Sequence, residues 1–177
     1  GVMPANAEGL ASGALVPPQA IESESQMARE DADHYYDSFM RVGSGAIIQP
    51  GTPPGRLGVI TAAIRDEGTS SHYLPMEFPA VADFQVVDAI AKAARNLGAD
   101  YRLGVTQSKD SFYGEVEPQR MPMADLLEDR WKMWIAGGAI CSEMEAAAIF
   151  VISSINRVRA GGIMHMWSEE NGESPDK

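Results

Sequence analysis

The chain has 177 residues, 45% hydrophobic and 22% charged, which is ordinary globular usage and enough for one buried core. Its 25 acidic residues against 14 basic ones leave a net charge of −11, a field that repels a phosphate backbone and excludes non-specific nucleic-acid binding. The single cysteine, Cys141, excludes an internal disulfide framework, and with no leader pattern and no apolar run long enough for a membrane helix, a reducing, cytoplasmic setting is expected.

Residues 1–34 read as a weakly structured segment. The first twenty are small and polar, with Pro4, Pro17 and Pro18, and Glu22–Asp33 carries many charges and little apolar area. A domain over 35–167 and a polar tail over 168–177 complete the expected organisation. Phe39-Met40-Arg41-Val42 reads as a strand running into a tight loop at Gly43-Ser44-Gly45. Gln49–Gly55 is a Pro/Gly-rich turn, and Leu57–Ile64 reads as a strand covered on both faces. An irregular stretch spans 65–82; its length suggests function, and Tyr73 and Phe78 argue for order.

Asp83 then looks like an N-cap. Phe84, Val87, Ile90, Ala91, Ala94 and Leu97 follow at helical spacing, and Gly98 closes the helix. Tyr101–Thr106 reads as the next strand, followed by a second irregular stretch to about Pro122. A helix with Leu126, Leu127, Trp131 and Trp134 on one side comes next, the tryptophans read as core or subunit contacts. Ser142 is expected to open a further helix, and Gly162–Trp167 to form a last strand. Alternating strands and helices predict an α/β three-layer domain with a mainly parallel sheet.

Several strings in this order are uncommon. RLGVITAAIRDEGTSSHYLPMEFPAVADF at 56–84, GVTQSKDSFYG at 104–114, RMP at 120–122 and SEMEAAAIF at 142–150 are similar to bacterial uridine phosphorylases. Arg41-Val42-Gly43-Ser44 resembles that family's strand-end phosphate segment. Gly13–Ile21 resembles a worn copy of its G-x-G-x-P-S-x-x-I signature, with Leu15 for the second glycine and Pro18 for the serine of an intersubunit potassium site.

The resemblance implies a nucleoside phosphorylase-like fold, with a mixed, mainly parallel, partly closed sheet flanked by helices. It implies a homo-oligomer, the family's hexamer of dimers, with no resident cofactor or metal. It also implies reversible phosphorolysis of uridine to uracil and ribose 1-phosphate, with inorganic phosphate as co-substrate. Such a site must place phosphate beneath the anomeric carbon, hold the ribose and stabilise the departing base.

Arg41 and Ser44 are the phosphate candidates, since a guanidinium fork and a hydroxyl beside glycines suit an oxyanion. By pattern alone they are a strand end. Glu143, Met144 and Glu145, with Ser44, are the ribose candidates. By resemblance Glu145 accepts from the 2′- and 3′-hydroxyls and Met144 lines the pocket. By pattern, Ser142-Glu143-Met144-Glu145 is a capping box in which Glu145 turns back to its own backbone.

Phe112, Glu115 and Arg120 are the base candidates, for stacking, hydrogen bonding and charge stabilisation, with Arg41 and Arg120 as the catalytic pair. The family has glutamine where this chain has Glu115, and often histidine where it has Val116. A carboxylate only accepts hydrogen bonds, whereas glutamine also donates, and glutamate opposes negative charge on uracil. Glu115 therefore also admits a purine-type preference. His34, His72 and His165 show no metal spacing, and Cys141 reads as a small buried residue.

The family's G-D-P-x-R phosphate loop is not found in this sequence. Two expectations follow. The chain is a fragment or diverged descendant with impaired activity or a role as an assembly subunit, and a sheet lacking its first strands has a bare ladder edge with apolar surface beside it.

Overall fold

A computed structural model describes residues 38–168. The expected N-terminal segment, His34, the worn glycine signature and all but the first residue of the tail lie outside the described residues. Six strands form one sheet: β1 (Ser38–Ile47), β2 (Leu57–Asp66), β3 (Ala80–Val81), β4 (Tyr101–Lys109), β5 (Cys141–Glu143) and β6 (Arg159–Trp167). The helices are α1 (Phe84–Asn96), α2 (Tyr113–Val116), α3 (Ala124–Ala136) and α4 (Ala146–Ile155). Short 3-10 turns lie at Ser70–His72 and Pro118–Arg120.

The sheet order is β3-β2-β4-β5-β1-β6, and β6 returns to pair with β2, so the sheet closes on itself. The long pairings β1–β6 and β2–β4 are parallel, as is β4–β5, while β1–β5, β2–β3 and β2–β6 are antiparallel. The predicted mixed, mainly parallel α/β architecture is observed. β2 is the hinge of the closure. Its first half pairs with β6 through Ile60↔Gly162, and its second half takes β3 from Ala62↔Val81. The register with β4 shifts between Ile60 and Ala62, a bulge that bends the strand where it changes partner. β5 meets β1 only at Ala46 and Ile47, so among the described residues Ser38–Gly45 of β1 are paired by β6 on one side alone. Phe39, Met40 and Val42 are exposed along this stretch.

The core lies between the sheet and the helices α1 and α4. Val59, Ile60, Phe150, Val151, Met164 and Met166 are fully buried there, and Ala146 and Ala147 let α4 approach closely. Asp83 caps α1, its Oδ1 accepting from Gln85 N at 2.9 Å and Val86 N at 3.1 Å. Val87, Ile90, Ala91 and Ala94 are buried, but Phe84 and Leu97, at the two ends of the expected stripe, are exposed. Gly98 closes the helix with φ of +65°.

Three expectations are corrected. The Gly43-Ser44-Gly45 run continues β1 and makes no turn. Its glycines serve clearance, because a Cβ at Gly43 would lie 2.3 Å from the Arg41 guanidinium and one at Gly45 would lie 3.2 Å from the Cys141 side chain. Ser142 lies in β5, and the helix after it starts at Ala146. Finally, α3 buries no residue in the core. Polar ties hold it instead. Gln49 Nε2 donates to Ile135 O at 3.0 Å and Ala139 O at 2.9 Å, and Arg130 pairs with Asp66 at the end of β2.

Candidate active site

Parallel strands present their carboxyl ends to ligands in α/β sheets. Here the ends of β2 and β4 and the turn out of β5 carry two side-chain clusters joined by the segment Ser142–Glu145.

The first cluster is Arg41 with Glu145. Arg41 Nη2 lies 2.5 Å and Nε 3.0 Å from Glu145 Oε2, and Nη1 donates to its neighbour's carbonyl, Val42 O, at 2.6 Å. The guanidinium folds back over Gly43, where a Cβ would displace it. Ser44, the next residue, is exposed, and Met144 is 38% exposed beside Glu145. Glu145 thus points away from Ser142, and the capping box does not form.

Glu143 replaces it. Its Oε2 accepts from Glu145 N at 2.9 Å and Ala146 N at 2.8 Å, capping α4, while Ser108 Oγ donates to Oε1. Ser108 Oγ in turn accepts from Ala147 N at 2.9 Å. In Glu143, expected as a ribose contact, both oxygens are engaged by the fold, and the residue is 4% exposed.

The second cluster lines a cavity of about 370 Å³ between the ends of β2 and β4 and the helix α3. Gln107 and Lys109 face it from β4, while Thr106 and Ser108 turn to the opposite face and bond Cys141 O and α4. Glu115 enters from α2. Its Oε2 is 2.7 Å from Lys109 Nζ, with side chains only 9% and 8% exposed. Ser142 Oγ accepts from Lys109 Nζ at 2.6 Å and has two acceptors in reach for its own proton, Gln107 Oε1 at 2.8 Å and Glu115 Oε2. Gln107 Nε2 donates to Asp66 Oδ2 at 2.6 Å, and Arg130 closes the chain on Asp66 Oδ1. Trp131 and Trp134 line this cavity and do not enter the core, and Arg130 stands 5.6 Å over the Trp134 ring.

Phe112 and Arg120 do not line this cavity, and Arg120 faces a separate recess with Tyr113 and Met121. Phe112 is 41% exposed and meets Tyr113 edge-on at 5.5 Å, so it is not core packing. Arg120 is exposed and paired with Glu117 three residues before it. The fold therefore brings Arg41 to Glu145 and Glu115 to Ser142, and leaves Phe112 and Arg120 facing outward.

Sequence reasoning missed Lys109, Gln107, Asp66 and Arg130. A signal was present: the polar run Thr106-Gln107-Ser108-Lys109 is buried at the end of an apolar strand. Cys141 is fully buried, and burial pushes its thiol up to about 12, so it stays protonated. His72 and His165 are exposed. Among the described residues, no three His, Cys, Asp or Glu side chains converge as a metal site, and no helix is long and apolar enough to cross a membrane.

Comparison with known proteins bears on the same residues. The Phosphorylase superfamily profile matches residues 23–176. The chain is 46% identical over 127 residues to a uridine phosphorylase of Treponema pallidum, covering 72% of this chain and 49% of that protein. It is 41% identical over 135 residues to a uridine phosphorylase of Thermococcus kodakarensis, covering 71% and 46%. A guanosine phosphorylase of Halorubrum lacusprofundi is 30% identical over 127 residues, covering 72% and 48%. The chain spans about half the length of the curated relatives it matches. With the profile running from before β1 to beyond β6, and with the predicted closed α/β sheet in place, the chain belongs to the phosphorylase superfamily.

Proposed function

We propose that this chain supplies the nucleoside and phosphate site of a uridine phosphorylase. The pairing of Arg41 with Glu145 carries the reading, because it sets an anion-binding guanidinium against a carboxylate suited to two sugar hydroxyls. In the reaction a phosphate oxygen attacks the anomeric carbon as the bond to uracil N1 breaks. The electron pair leaves with the base, which is then protonated, and ribose 1-phosphate remains. Arg41 and Ser44 hold the phosphate, Glu145 and Met144 the ribose, and Phe112, Glu115 and Arg120 the base. Glu143 acts through Glu145, whose backbone it fixes.

With no ligand bound, Arg41 is held by Glu145, half of whose side chain is exposed. Exposed pairs of this kind contribute about 0–1 kcal/mol, so phosphate recruits the guanidinium at low cost and frees Glu145 for the ribose. Inorganic phosphate is then a co-substrate, the protein a cytoplasmic homo-oligomer, and no metal takes part.

The test is uracil release from uridine by the folded chain, with and without phosphate. Phosphate-dependent release is expected. A folded sample that releases no uracil overturns the reading in favour of an assembly subunit. The likeness to a guanosine phosphorylase and the carboxylate at 115 motivate a purine reading, which predicts faster turnover of inosine than of uridine.

A further inference from the structure

The cavity between β4 and α3 is lined by a donor and an acceptor, both nearly buried, whose valences the fold leaves open. Lys109 Nζ carries three N–H groups and has two partners, Ser142 Oγ at 2.6 Å and Glu115 Oε2 at 2.7 Å. Glu115 Oε1 takes no hydrogen bond among the described residues, while Oε2 is shared by Lys109 and Ser142. The polar groups beside them already have partners. Gln107 Nε2 and Arg130 both bond Asp66, and the Gln107 carbonyl faces Ser142. Lys109 and Glu115 are therefore a fixed, nearly buried donor–acceptor pair at the wall of a space of about 370 Å³.

That pairing has a chemical complement. A ring N–H beside a carbonyl, the edge of an imide or lactam, offers its proton to Glu115 Oε1 and its oxygen to Lys109. Both bonds are charge-assisted, and Trp131 and Trp134 supply flat apolar walls for the ring. The reversed edge is refused. With the sugar on N1, cytosine presents a bare N3 beside an amine, which would turn an amine toward the ammonium and a lone pair toward the carboxylate.

We propose that Lys109, acting with Glu115, is a specificity-determining residue that reads the N–H/carbonyl edge of a uracil-type base. This rests on the reading that the cavity receives the nucleobase. It also answers the charge problem raised by glutamate at 115. The carboxylate does not face the base alone, because the Lys109 ammonium neutralises it and lies where a carbonyl oxygen gains charge as the base departs.

The tryptophans in the wall give the test its readout. The full chain is titrated with uridine, cytidine and 3-methyluridine, without phosphate, while tryptophan fluorescence is followed. In these nucleosides the sugar occupies N1, so N3 and the groups beside it are the edge on offer. Uridine is expected to change the emission saturably. Cytidine, with the reversed edge, and 3-methyluridine, with the N–H blocked, are expected to bind at least tenfold more weakly. Lys109→Met should weaken uridine at least tenfold, and Lys109→Arg, which keeps a charged donor, should recover part of the loss. Equal binding of uridine and cytidine overturns the inference, as does no uridine binding by the folded chain. Because Lys109→Met risks misfolding, the selectivity of the unaltered chain decides by itself. Uridine phosphorolysis is assayed alongside. Turnover without base selectivity sinks the inference and spares the function, whereas selective uridine binding without phosphate-dependent turnover does the reverse.

Discussion

Two irregular segments leave the ends of neighbouring parallel strands, one after β2 and one after β4, and they are built on opposite plans. Residues 67–79 wind around a buried cation. Arg65, 9% exposed, donates to Ser70 Oγ at 2.9 Å and to the carbonyls of Leu74, Pro75 and Phe78 at 2.7, 2.5 and 2.5 Å. Residues 110–122 have no such centre. Their Arg120 bonds locally to Glu117, Phe112 and Tyr113 are exposed, and the following helix buries nothing in the core. Their inward anchor is Glu115, held on Lys109 and Ser142 at a cavity wall. An irregular chain is ordered by where its carbonyls find donors, not by how many aromatics it contains. Tyr73 and Phe78, which suggest order in the sequence, are 52% and 39% exposed.

If the first segment depends on one guanidinium, removing it is the largest single perturbation of this pair. Arg65→Met strands three carbonyls and the Ser70 hydroxyl, and is expected to cost about 4 kcal/mol in urea unfolding. Limited proteolysis should then cut within 67–79 before it cuts within 110–122. A loss below about 1 kcal/mol would show that the segment is held by its packing and would erase the contrast.

The second segment should respond less, because its anchor opens on a cavity that water can enter. Glu115→Ala leaves Lys109 with Ser142 and solvent, and about 2 kcal/mol is expected, short of the figure for a fully enclosed broken pair. If it matches Arg65→Met, the cavity is dry and the second segment is as tightly built as the first.

Cys141 reports on β5, which pairs with β4, the strand that leads into the second segment. It is fully buried against Thr106, and burial raises its thiol from about 9 to about 12. Below pH 9 the thiol is protonated in both folded and unfolded chains and its contribution is fully present. Above that the unfolded chain ionises first, so stability falls by up to about 1.4 kcal/mol per pH unit until the folded thiol titrates. Iodoacetamide at pH 8 should label Cys141 only as fast as the whole domain unfolds. Labelling that instead follows fluctuations of the second segment would tie β5 to the looser region.

These differences explain what the sequence discloses. The Asp83 cap is legible because its partners are two and three residues away. The strands are legible because apolar runs declare them. The capping box at 142–145 fails for a non-local reason. Glu145 is drawn to Arg41, 104 residues distant, and Glu143 reaches forward from a strand to cap the helix in its place. The Gly43-Ser44-Gly45 run mimics a turn because a glycine needed for clearance looks the same in sequence as one needed for bending. Arg41, Glu145 and Glu115 can be named from strings alone. Lys109 cannot, because its meeting with Glu115 depends on how β4, α2 and β5 come together.

Arg120 offers the smallest stability effect and the sharpest reading of the second segment. Its guanidinium is 72% exposed, and its partner Glu117 is three residues away on the same turn. Exposed pairs of this kind contribute about 0–0.5 kcal/mol, so Arg120→Ala should leave the urea midpoint almost unchanged. Its proposed role is different in kind, because a cation brought to the base would stabilise negative charge only as the bond to the sugar breaks. Such a loss lowers kcat and kcat/KM together and leaves KM near its starting value. A tenfold or greater fall in kcat at constant stability would mean that the 110–122 segment closes over the base during turnover, a movement that a segment without a buried hub is built to make. Unchanged kcat would mean that Arg120 stays on Glu117 throughout, and that charge on the departing base is met from inside the cavity, by Lys109.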